Sequence, residues 1–354
     1  MSWSFHPASD SFDQYRERWD AINRLNGNHI LLDSAFVGLL LRHFGSPGVV
    51  LGIRNDPNSP GIALLERARG GFWQTFQPSQ APLGLILLGS RDQPRRQIDA
   101  LLRALPGYAL GLAVLQQDVD FTPFAEVAPG PDVERIEHIL TARLTFAGTF
   151  EQYWNSRDRH FVKDLGRRRR RLAERGTSLE LVVERRPEQV AEAIRQYGLL
   201  EAAGWKSTLG TAISPDNQQG ALYRELLEYF CRRNEGVIYR LLLDGRTAAA
   251  NLCLERGGML VVLKTTYDEG IQSFSPGHLL DQEMRRSIFA EGRIRVEEYY
   301  GPFSASQAKW TDDVRAIFHL NFFRSPAVVS ARSALRAART RLDRFRSLLR
   351  PSAS

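Results

Sequence analysis

The sequence predicts a mixed α/β protein of the α+β type, built from two similar halves. In each half a mixed, mostly antiparallel sheet would be flanked by helices. Three observations support this fold class. The order of strand-like and helix-like segments in the first half returns in the second. A stretch rich in proline and glycine, residues 121–137, separates the halves. Residues 326–354 have the pattern of one basic amphipathic helix.

The composition is that of a globular protein. Of the 354 residues, 43% are hydrophobic and 25% are charged, which excludes long disorder and fibrous repeats. The longest apolar runs, 36–41 and 83–88, are far shorter than the ~20 residues that span a bilayer. The polar, acidic N-terminal segment does not resemble a signal peptide. Cys231 and Cys253 are too few for a disulfide framework or a cysteine-based zinc site, so we expect reduced thiols in a cytoplasmic protein.

The basic character is concentrated at the C-terminal end. Lysine and arginine total 47 against 40 acidic residues, a net charge of +7. Residues 324–350 hold eight arginines and one aspartate, which equals the whole excess. Nucleic-acid-binding proteins usually carry a basic field over a whole face. The charge pattern therefore argues against nucleic acid as a partner.

The first half is predicted to combine helices with short strands. Its expected helices are 14–25, 35–44 (after the capping pair Asp33-Ser34) and 93–105. Its expected strands are 49–54, 61–68, 72–77, 83–88 and 108–116.

The second half has clearer turn signals. Asp244-Gly245 predicts a hairpin between strands 237–243 and 247–255, and Gly257-Gly258 predicts the turn into strand 259–267. The other expected strands are 137–144, 179–184, 294–300 and 314–322. The expected helices are 150–174, 187–203, 218–233 and 278–291, with a loop over 204–217.

These segments define the expected domains. They are an N-terminal domain at 1–135, a connecting strand and basic helix at 136–178, a second domain at 179–325 and a basic amphipathic helix at 326–354.

The turn Ser275-Pro276-Gly277 before a helix is the first feature that indicates chemistry. A helix start presents free backbone N–H groups and the positive end of the helix dipole, which suit a pyrophosphate. Gly277 would let the backbone approach a ligand closely, and Pro276 would set the entry into the helix. The same residues would also serve as an ordinary helix-capping turn, so the turn by itself does not decide.

Four stretches, taken in order, resemble the FemAB-like branch of the GNAT acyltransferase superfamily. The resemblance is strongest to acetyltransferases of the CelD/BcsL type, which are associated with cellulose and other polysaccharide synthesis. The stretches are GWKSTLGTAI at 204–213, LKTTYDE at 263–269, FSPGHLL at 274–280, and Gly301 followed by Lys309-Trp310. The resemblance covers about residues 14–323 and implies two tandem GNAT-like halves.

The halves are expected to differ in their cofactor loops. Pro82-Leu83-Gly84 runs into a strand-like segment, so the first half would have lost the loop and be degenerate. The resemblance places acyl-CoA in the second half. Two departures from the family pattern occur there: Glu298 stands where relatives often have aspartate, and the insertion 302–308 before Lys309 is longer than usual.

The resemblance also implies the site residues. Donor binding is expected at Lys264, Thr265, Ser275, Pro276, Gly277, His278 and Leu279. Acceptor binding is expected at Trp205, Trp310 and Tyr300. The catalytic candidates are Asp268 and Glu298 as bases, Tyr267 as a proton donor, and Lys206 and Lys309 as groups that neutralise substrate charge. Each polar candidate also fits a solvated or hydrogen-bonded surface residue.

The expected mechanism is direct attack on the thioester, because a convincing nucleophile is lacking. Cys231 falls on a helix face and Cys253 in a strand, where core packing is the simpler interpretation. The seven histidines lack metal-binding spacing, so we expect no metal.

The predicted function is acyl-CoA-dependent N-acyl transfer to a sugar or a polysaccharide or cell-envelope precursor. Two alternatives stay open: a FemAB-like transferase that uses aminoacyl-tRNA, and a non-catalytic scaffold of a polysaccharide synthesis system. The run Arg167–Arg171 points around a whole helix and fits a solvated helix or a site for acidic partners. The C-terminal helix would pack on the domain, bind the inner membrane face, or dock an acyl carrier protein.

Overall fold

The computed structural model describes residues 3–90, 93–203, 213–214 and 217–332. The chain divides into two compact units. Unit 1 draws on Met1–Asn28, Gly45–His138 and Ile317–Ser354, and unit 2 on His29–Phe44 and Ile139–Ala316.

The strands are numbered in chain order. They are β1 Trp3–Pro7, β2 Val50–Arg54, β3 Gly61–Arg67, β4 Phe72–Thr75, β5 Ile86–Leu88, β6 Gly111–Asp118, β7 Val133–Thr145, β8 Leu179–Glu184, β9 Gly236–Leu243, β10 Arg246–Arg256, β11 Met259–Tyr267, β12 Val296–Glu298 and β13 Val314–Phe323.

The α-helices are α1 Ala8–Ser11, α2 Arg16–Leu25, α3 Ser34–Phe44, α4 Pro94–Ala104, α5 Phe150–Asn155, α6 Arg159–Glu174, α7 Pro187–Ala203, α8 Gln218–Arg232 and α9 Pro276–Glu291. Short 3₁₀ turns cover Phe12–Tyr15, Ile30–Leu32, Arg69–Gly71, Glu269–Phe274 and Gln307–Lys309.

Unit 1 is built on a mixed sheet in the order β1-β2-β3-β4-β6-β13, with β5 paired to β3. β4 and β6 run parallel, and the other pairs are antiparallel. Helix α4 places Ile98, Leu101 and Leu102 in a core with Leu112 of β6 and Phe322 of β13. The amphipathic pattern of α4 explains this packing, because its apolar residues recur three and four positions apart.

Unit 2 holds the sheet β7-β12-β11-β10-β9-β8, in which β11 and β12 are the parallel pair. Its core gathers apolar residues of β9–β11, α6 and α9. The hairpin predicted from Asp244-Gly245 is confirmed, since both residues have the positive φ of a type I′ turn (48° and 74°).

The predicted fold class, a mixed α/β sheet flanked by helices, is confirmed, while several element boundaries were wrong. Strand β1 was missed. The single helix expected over 150–174 is two helices, because the Asp158 side chain accepts a hydrogen bond from the N–H of Phe161 (2.8 Å) and caps α6. β12 spans three residues rather than the seven expected.

The compact units also differ from the expected domains. α3 was assigned to the first domain, but it belongs to unit 2, where Asp33 pairs with Arg256 (2.7 Å) and Arg42 with Glu225 (2.8 Å). The end of β13 was assigned to the second domain, but it pairs with β6 in unit 1. The C-terminal segment is helical over 326–332; the rest of the expected tail helix lies outside the described residues.

Candidate active site

The parallel strands β11 and β12 of unit 2 are paired at one end of β11 and separate beyond it, which leaves a gap between them. β11 and β12 pair over only three residues, Met259–Val261 with Val296–Glu298. β11 then continues to Tyr267, and a register shift against β10 falls where Leu252 opposes Lys264 and Cys253 opposes Val262. Such a bulge bends a strand. The carboxyl end of β11 is therefore the edge of a gap.

A cavity of about 510 Å³ lies at this gap, within the range of small-molecule sites. Its described lining is Asn251, Thr265, Thr266, Tyr267, Gln272, Ser275, Pro276, Gly277, His278, Asp281, Tyr299, Ser304, Ser306, Gln307 and Trp310.

Helix α9 begins at this cavity without a side-chain cap. Ser275 takes a left-handed conformation (φ 53°), Pro276 is the first helical residue, and no side-chain hydrogen bond closes the start. Because the first N–H groups of a helix have no partner within it, they remain available to a ligand. A Cβ on Gly277 would lie 3.6 Å from the Tyr267 ring, so this glycine is not required by packing. The arrangement fits an anion-binding helix start.

A buried ionic cluster lies beside the cavity. Arg285 donates two hydrogen bonds to Glu297, at 3.0 and 2.9 Å, and both side chains are fully buried. Tyr299 donates to the same carboxylate at 2.6 Å and accepts from Arg285. The guanidinium lies 4.2 Å from the centre of the Trp310 ring. These contacts fix the orientation of Tyr299 and Trp310, which line the cavity.

His278 is a hydrogen-bond donor rather than a base at neutral pH. Its Nδ1 accepts from the indole N–H of Trp310 at 3.1 Å, which leaves the proton on Nε2. Burial, helped by the charges of Lys309 and Arg285, lowers the pKa of His278 to about 4.

Asp281 is the one acidic residue among the described residues that line the cavity. It accepts a hydrogen bond from Asn251 Nδ2 at 3.2 Å, and its other oxygen lies 3.7 Å from Arg285. Burial raises the pKa of Asp281 above its ordinary value, although Arg285 and Asn251 act in the opposite direction.

The structure brings seven of the predicted site residues to the cavity. They are Thr265, Tyr267, Ser275, Pro276, Gly277, His278 and Trp310. Trp205 and Lys206 lie outside the described residues.

Six predicted site residues are not in the described lining. Leu279 is fully buried in the core of unit 2, and Lys264 lies over the Tyr223 ring of α8. Lys309 lies 5.5 Å from the centre of the Phe161 ring. Tyr300 turns away to bond His29 at 2.8 Å.

The two expected bases are placed elsewhere as well. Glu298 is fully buried, and its two oxygens accept from Arg143 and Arg315. The side chain of Asp268 accepts from the N–H of Gly270 at 2.8 Å and caps the following turn.

Eight lining residues were missed by sequence reasoning: Asn251, Thr266, Gln272, Asp281, Tyr299, Ser304, Ser306 and Gln307. A signal existed for Asn251 and Asp281. Asn251 interrupts the apolar run Ala248–Leu254, and Asp281 follows His278 by three positions, so both face the same side of a helix. Tyr299 follows a strand that proved shorter than expected.

Both thiols are poor nucleophiles. Cys231 and Cys253 are buried. Burial raises the pKa of Cys231 to about 11 and that of Cys253 well above its ordinary value.

The described residues contain no cluster of three or more histidine, cysteine or acidic side chains placed to hold a metal. No helix among them has the length and apolar character needed to cross a bilayer.

Residues 159–303 match the family model described as an acetyltransferase (GNAT) domain. This segment of the chain is therefore similar to GNAT acetyltransferase domains. The match begins with α6 and includes β8–β12 and α9, and therefore much of the cavity lining. The protein is thus an acyltransferase. The match starts earlier than residue 179, where the second domain was expected to begin, because α6 packs into the core of unit 2.

Solved structures share the fold over almost the whole chain. FemX is 10% identical, with a TM-score of 0.56 over 91% of this chain and 97% of that one. A conserved protein from Bacteroides thetaiotaomicron is 8% identical, with a TM-score of 0.52 over 90% and 99%. The C-terminal domain of a protein assigned as a lysylphosphatidylglycerol synthetase, from Agrobacterium fabrum, is 12% identical, with a TM-score of 0.50 over 92% and 97%. At such identities the likeness concerns the fold. No curated protein matches the chain in sequence.

Proposed function

We propose that the chain transfers an acyl group from acyl-CoA to an amine, with the donor bound at the start of α9. The observation that carries the proposal is the start of α9, which has no side-chain cap and opens into the cavity. This cavity lies where β11 and β12 separate, in the segment that matches a GNAT domain. The N–H groups of Gly277 and His278 would hold the pyrophosphate. Leu279, although predicted to bind the donor, is not among these groups, because its N–H donates to the carbonyl of Ser275 at 3.0 Å and its side chain is in the core.

The thioester end of the donor would extend along β11. Thr265 and Tyr267 line the cavity on that side and offer hydroxyl groups. Tyr267 is 41% exposed, so its phenol is accessible to a substrate. Transfer would occur by direct attack, which agrees with the burial and raised pKa of both thiols.

The acceptor class follows from the CelD/BcsL resemblance, which supports a sugar or a polysaccharide or cell-envelope precursor. Trp310 lines the cavity and would contact the acceptor there. The roles of Lys206, Trp205, Lys264, Lys309 and Tyr300 remain predictions of that resemblance. A non-catalytic scaffold would need neither a donor nor an acceptor in this cavity.

The second candidate is transfer from aminoacyl-tRNA. The likeness to FemX over nearly the whole chain favours it. The basic run of α6 could in principle bind the phosphates of tRNA. It gives this candidate little support, because several of its arginines already have partners within the protein. Arg168 bonds Asp164 and the carbonyl of Ser273, and Arg169 pairs with Glu283.

The proposed partners outside the cavity depend on the C-terminal segment. A basic amphipathic helix there would suit an anionic membrane surface or an acyl carrier protein. This would place a cytoplasmic protein at the inner membrane face.

Binding of acetyl-CoA tests the proposal directly. We expect the full chain to bind acetyl-CoA in a calorimetric titration, and Gly277→Val to weaken binding by at least ~1–2 kcal/mol, because the branched side chain would block the helix start. Gly166→Val is the matched control, since a Cβ at that helical glycine meets no atom within 4 Å. Equal affinities for the wild-type protein and Gly277→Val, or no binding of acetyl-CoA to the wild type, would reject the donor site.

A second assay separates the two donors. Acyl transfer from acetyl-CoA in the absence of tRNA supports the main proposal. Transfer seen only with charged tRNA would establish the FemX-like alternative instead.

A further inference from the structure

The polar character of the cavity indicates what kind of acceptor it takes. Its described walls are rich in hydroxyl and amide groups, such as Thr265, Ser304, Ser306 and Gln307. Within the described lining, Asp281 is the one acidic side chain, and His278 is neutral at neutral pH. Such walls suit a ligand with many hydroxyl groups and a positive charge.

Asp281 retains the capacity to accept further hydrogen bonds. Its described partner within hydrogen-bond distance is Asn251 Nδ2, at 3.2 Å. Arg285 forms an ion pair with the other oxygen of Asp281, but its Nη1 lies 3.7 Å away, beyond hydrogen-bond distance, and its Nε and Nη2 bond Glu297 instead. A carboxylate has about four lone-pair sites, so several remain for a ligand. The side chain is 19% exposed, and that exposure is toward the cavity that it lines.

The surroundings also favour proton transfer to Asp281. The ionisable group that acts on it is Arg285 on its own helix, and Asp281 in turn helps to raise the pKa of Tyr299 after β12, Tyr153 of α5 and Cys253 of β10. Glu297 shares Arg285 with it. The pKa of Asp281 is raised by burial, which makes the carboxylate a better proton acceptor than an exposed one.

We propose that Asp281 binds the protonated amine of the acceptor and then takes the proton from the attacking nitrogen, and that the acceptor is an amine on a polyhydroxylated skeleton, such as an amino sugar. This assignment rests on the proposed acyl-CoA function. It supplies a base at the cavity, where neither Glu298 nor Asp268 is found.

The reaction balances without any further reagent. The bound ammonium first loses one proton to the Asp281 carboxylate, which returns it to solvent. The neutral amine then attacks the thioester carbonyl carbon and forms the C–N bond, and the C–S bond breaks. The nitrogen loses its second proton to the Asp281 carboxylate. The departing thiolate takes one proton from water, and Asp281 returns its proton to solvent. The products are the amide and free CoA.

The first test uses the wild-type protein and three probes: glucosamine, glucose and hexylamine. Glucose has the hydroxyl groups without the amine, and hexylamine has the amine without the hydroxyl groups. With acetyl-CoA as donor, we expect thiol release with glucosamine, none above background with glucose, and at least a tenfold lower kcat/KM with hexylamine. Donor binding without acylation of glucosamine would overturn the assignment and leave the donor proposal intact. Absence of donor binding would overturn both.

The second test replaces the carboxylate. Asp281→Asn keeps an oxygen that accepts from Asn251, so we expect an unchanged affinity for acetyl-CoA. We expect kcat/KM for glucosamine to fall by about 100-fold or more. The acid limb of the wild-type pH profile of kcat should disappear in this variant. Asp312→Asn is the control, because Asp312 is 89% exposed.

The outcomes of the second test are distinct. A wild-type kcat/KM in Asp281→Asn, or an unchanged acid limb, would overturn the role of Asp281. If Asp281→Asn does not fold, the acceptor comparison with the wild-type protein still decides the proposal.

Discussion

In each unit a helix lies, along the chain, between two strands that pair in parallel, although in unit 1 a further strand, β5, precedes the helix. In unit 1, α4 follows β5 and precedes β6, which runs parallel to β4. In unit 2, α9 follows β11 and precedes β12, which runs parallel to β11. Both helices start on a left-handed residue followed by proline: Gln93 (φ 49°) and Pro94 in one, Ser275 (φ 53°) and Pro276 in the other.

The two helix starts differ in the residue that follows the proline. In α9 it is Gly277, whose Cβ position has only ordinary contacts. In α4 it is Arg95, which pairs with Asp99 at 2.9 Å and with Asp132 at 2.6 Å. β4 and β6 border a cavity of about 470 Å³, but no residue of α4 is in its described lining. A shared backbone conformation therefore does not make a shared site.

This comparison corrects one sequence interpretation. The counterpart of Ser275-Pro276 was sought at Pro82-Leu83-Gly84, where none exists. Gly84 is packed so closely that a Cβ would lie 1.9 Å from the carbonyl oxygen of Leu115. The counterpart is Gln93-Pro94, which was missed because proline-starting helices are common and nothing in the local sequence marks the left-handed residue.

The largest expected difference between the units is in the free energy of unfolding that is lost when one arginine of each unit is replaced. Arg285→Leu would leave Glu297 buried without its cation, and we expect a loss of about 3–5 kcal/mol in the free energy of unfolding. Arg95→Leu removes a pair that is about one-third exposed, and should cost about 1 kcal/mol or less. Urea titrations of the full chain measure both. Similar losses for the two variants would show that the ionic cluster of unit 2 is not specially buried.

A smaller difference should appear in the pH dependence of stability. His29 of unit 2 accepts from the N–H of Leu31 and bonds Tyr300, and burial, aided by Arg315 and Arg256, lowers its pKa to about 3. In the unfolded chain this histidine has a pKa near 6.5 and binds a proton below that pH, whereas in the folded chain it stays neutral down to about pH 3. Stability is therefore lost as the pH falls below 6.5.

From pH 7 to pH 5, His29 should cost about 2 kcal/mol of unfolding free energy. His29→Gln should flatten that slope. In unit 1, burial lowers the pKa of His319 to about 4, but this ring is only half-buried, so His319→Gln should flatten the slope less. Parallel slopes for the wild type and His29→Gln would contradict the assignment.

The smallest expected effect is none at all. We predict that acetyl-CoA binds once per chain, in unit 2, because the start of α4 does not open into a cavity. Arg95→Gly should therefore leave both stoichiometry and affinity unchanged in a calorimetric titration. A second binding event, in the wild type or in Arg95→Gly, would show that unit 1 retains a donor site.

Much of the fold was predictable because its signals are local. The Asp244-Gly245 hairpin, the glycine turn at 257–258 and the proline start of α7 follow from backbone preferences of single residues. β1 and the short β12 were not predictable in the same way, since each depends on pairing with a strand that is distant in sequence.

The residues of the candidate site also fall into those that the sequence predicted and those that depend on distant neighbours. Ser275-Pro276-Gly277 was found from sequence because the start of a helix carries its own signal, and Tyr267 was found from the family resemblance of the stretch 263–269. Asp281 and Tyr299 were missed because their importance comes from neighbours on other elements, Asn251 and Glu297. Glu298 was chosen for its position next to a motif, and the arginines that enclose it come from β7 and β13.

The sequence by itself determined the class of fold, most of the strands and helices in their order along the chain, and the turn that opens the site, since these follow from periodicity and from proline and glycine. Only the tertiary structure decided which carboxylates face solvent-filled space and which are closed in by arginine. Burial and the charges of distant residues control that outcome, and they exist only once the sheet has formed. For Asp281 and Glu298, two acidic residues within eighteen positions of each other, they leave one on a cavity wall, 3.7 Å from Arg285, and enclose the other between Arg143 and Arg315.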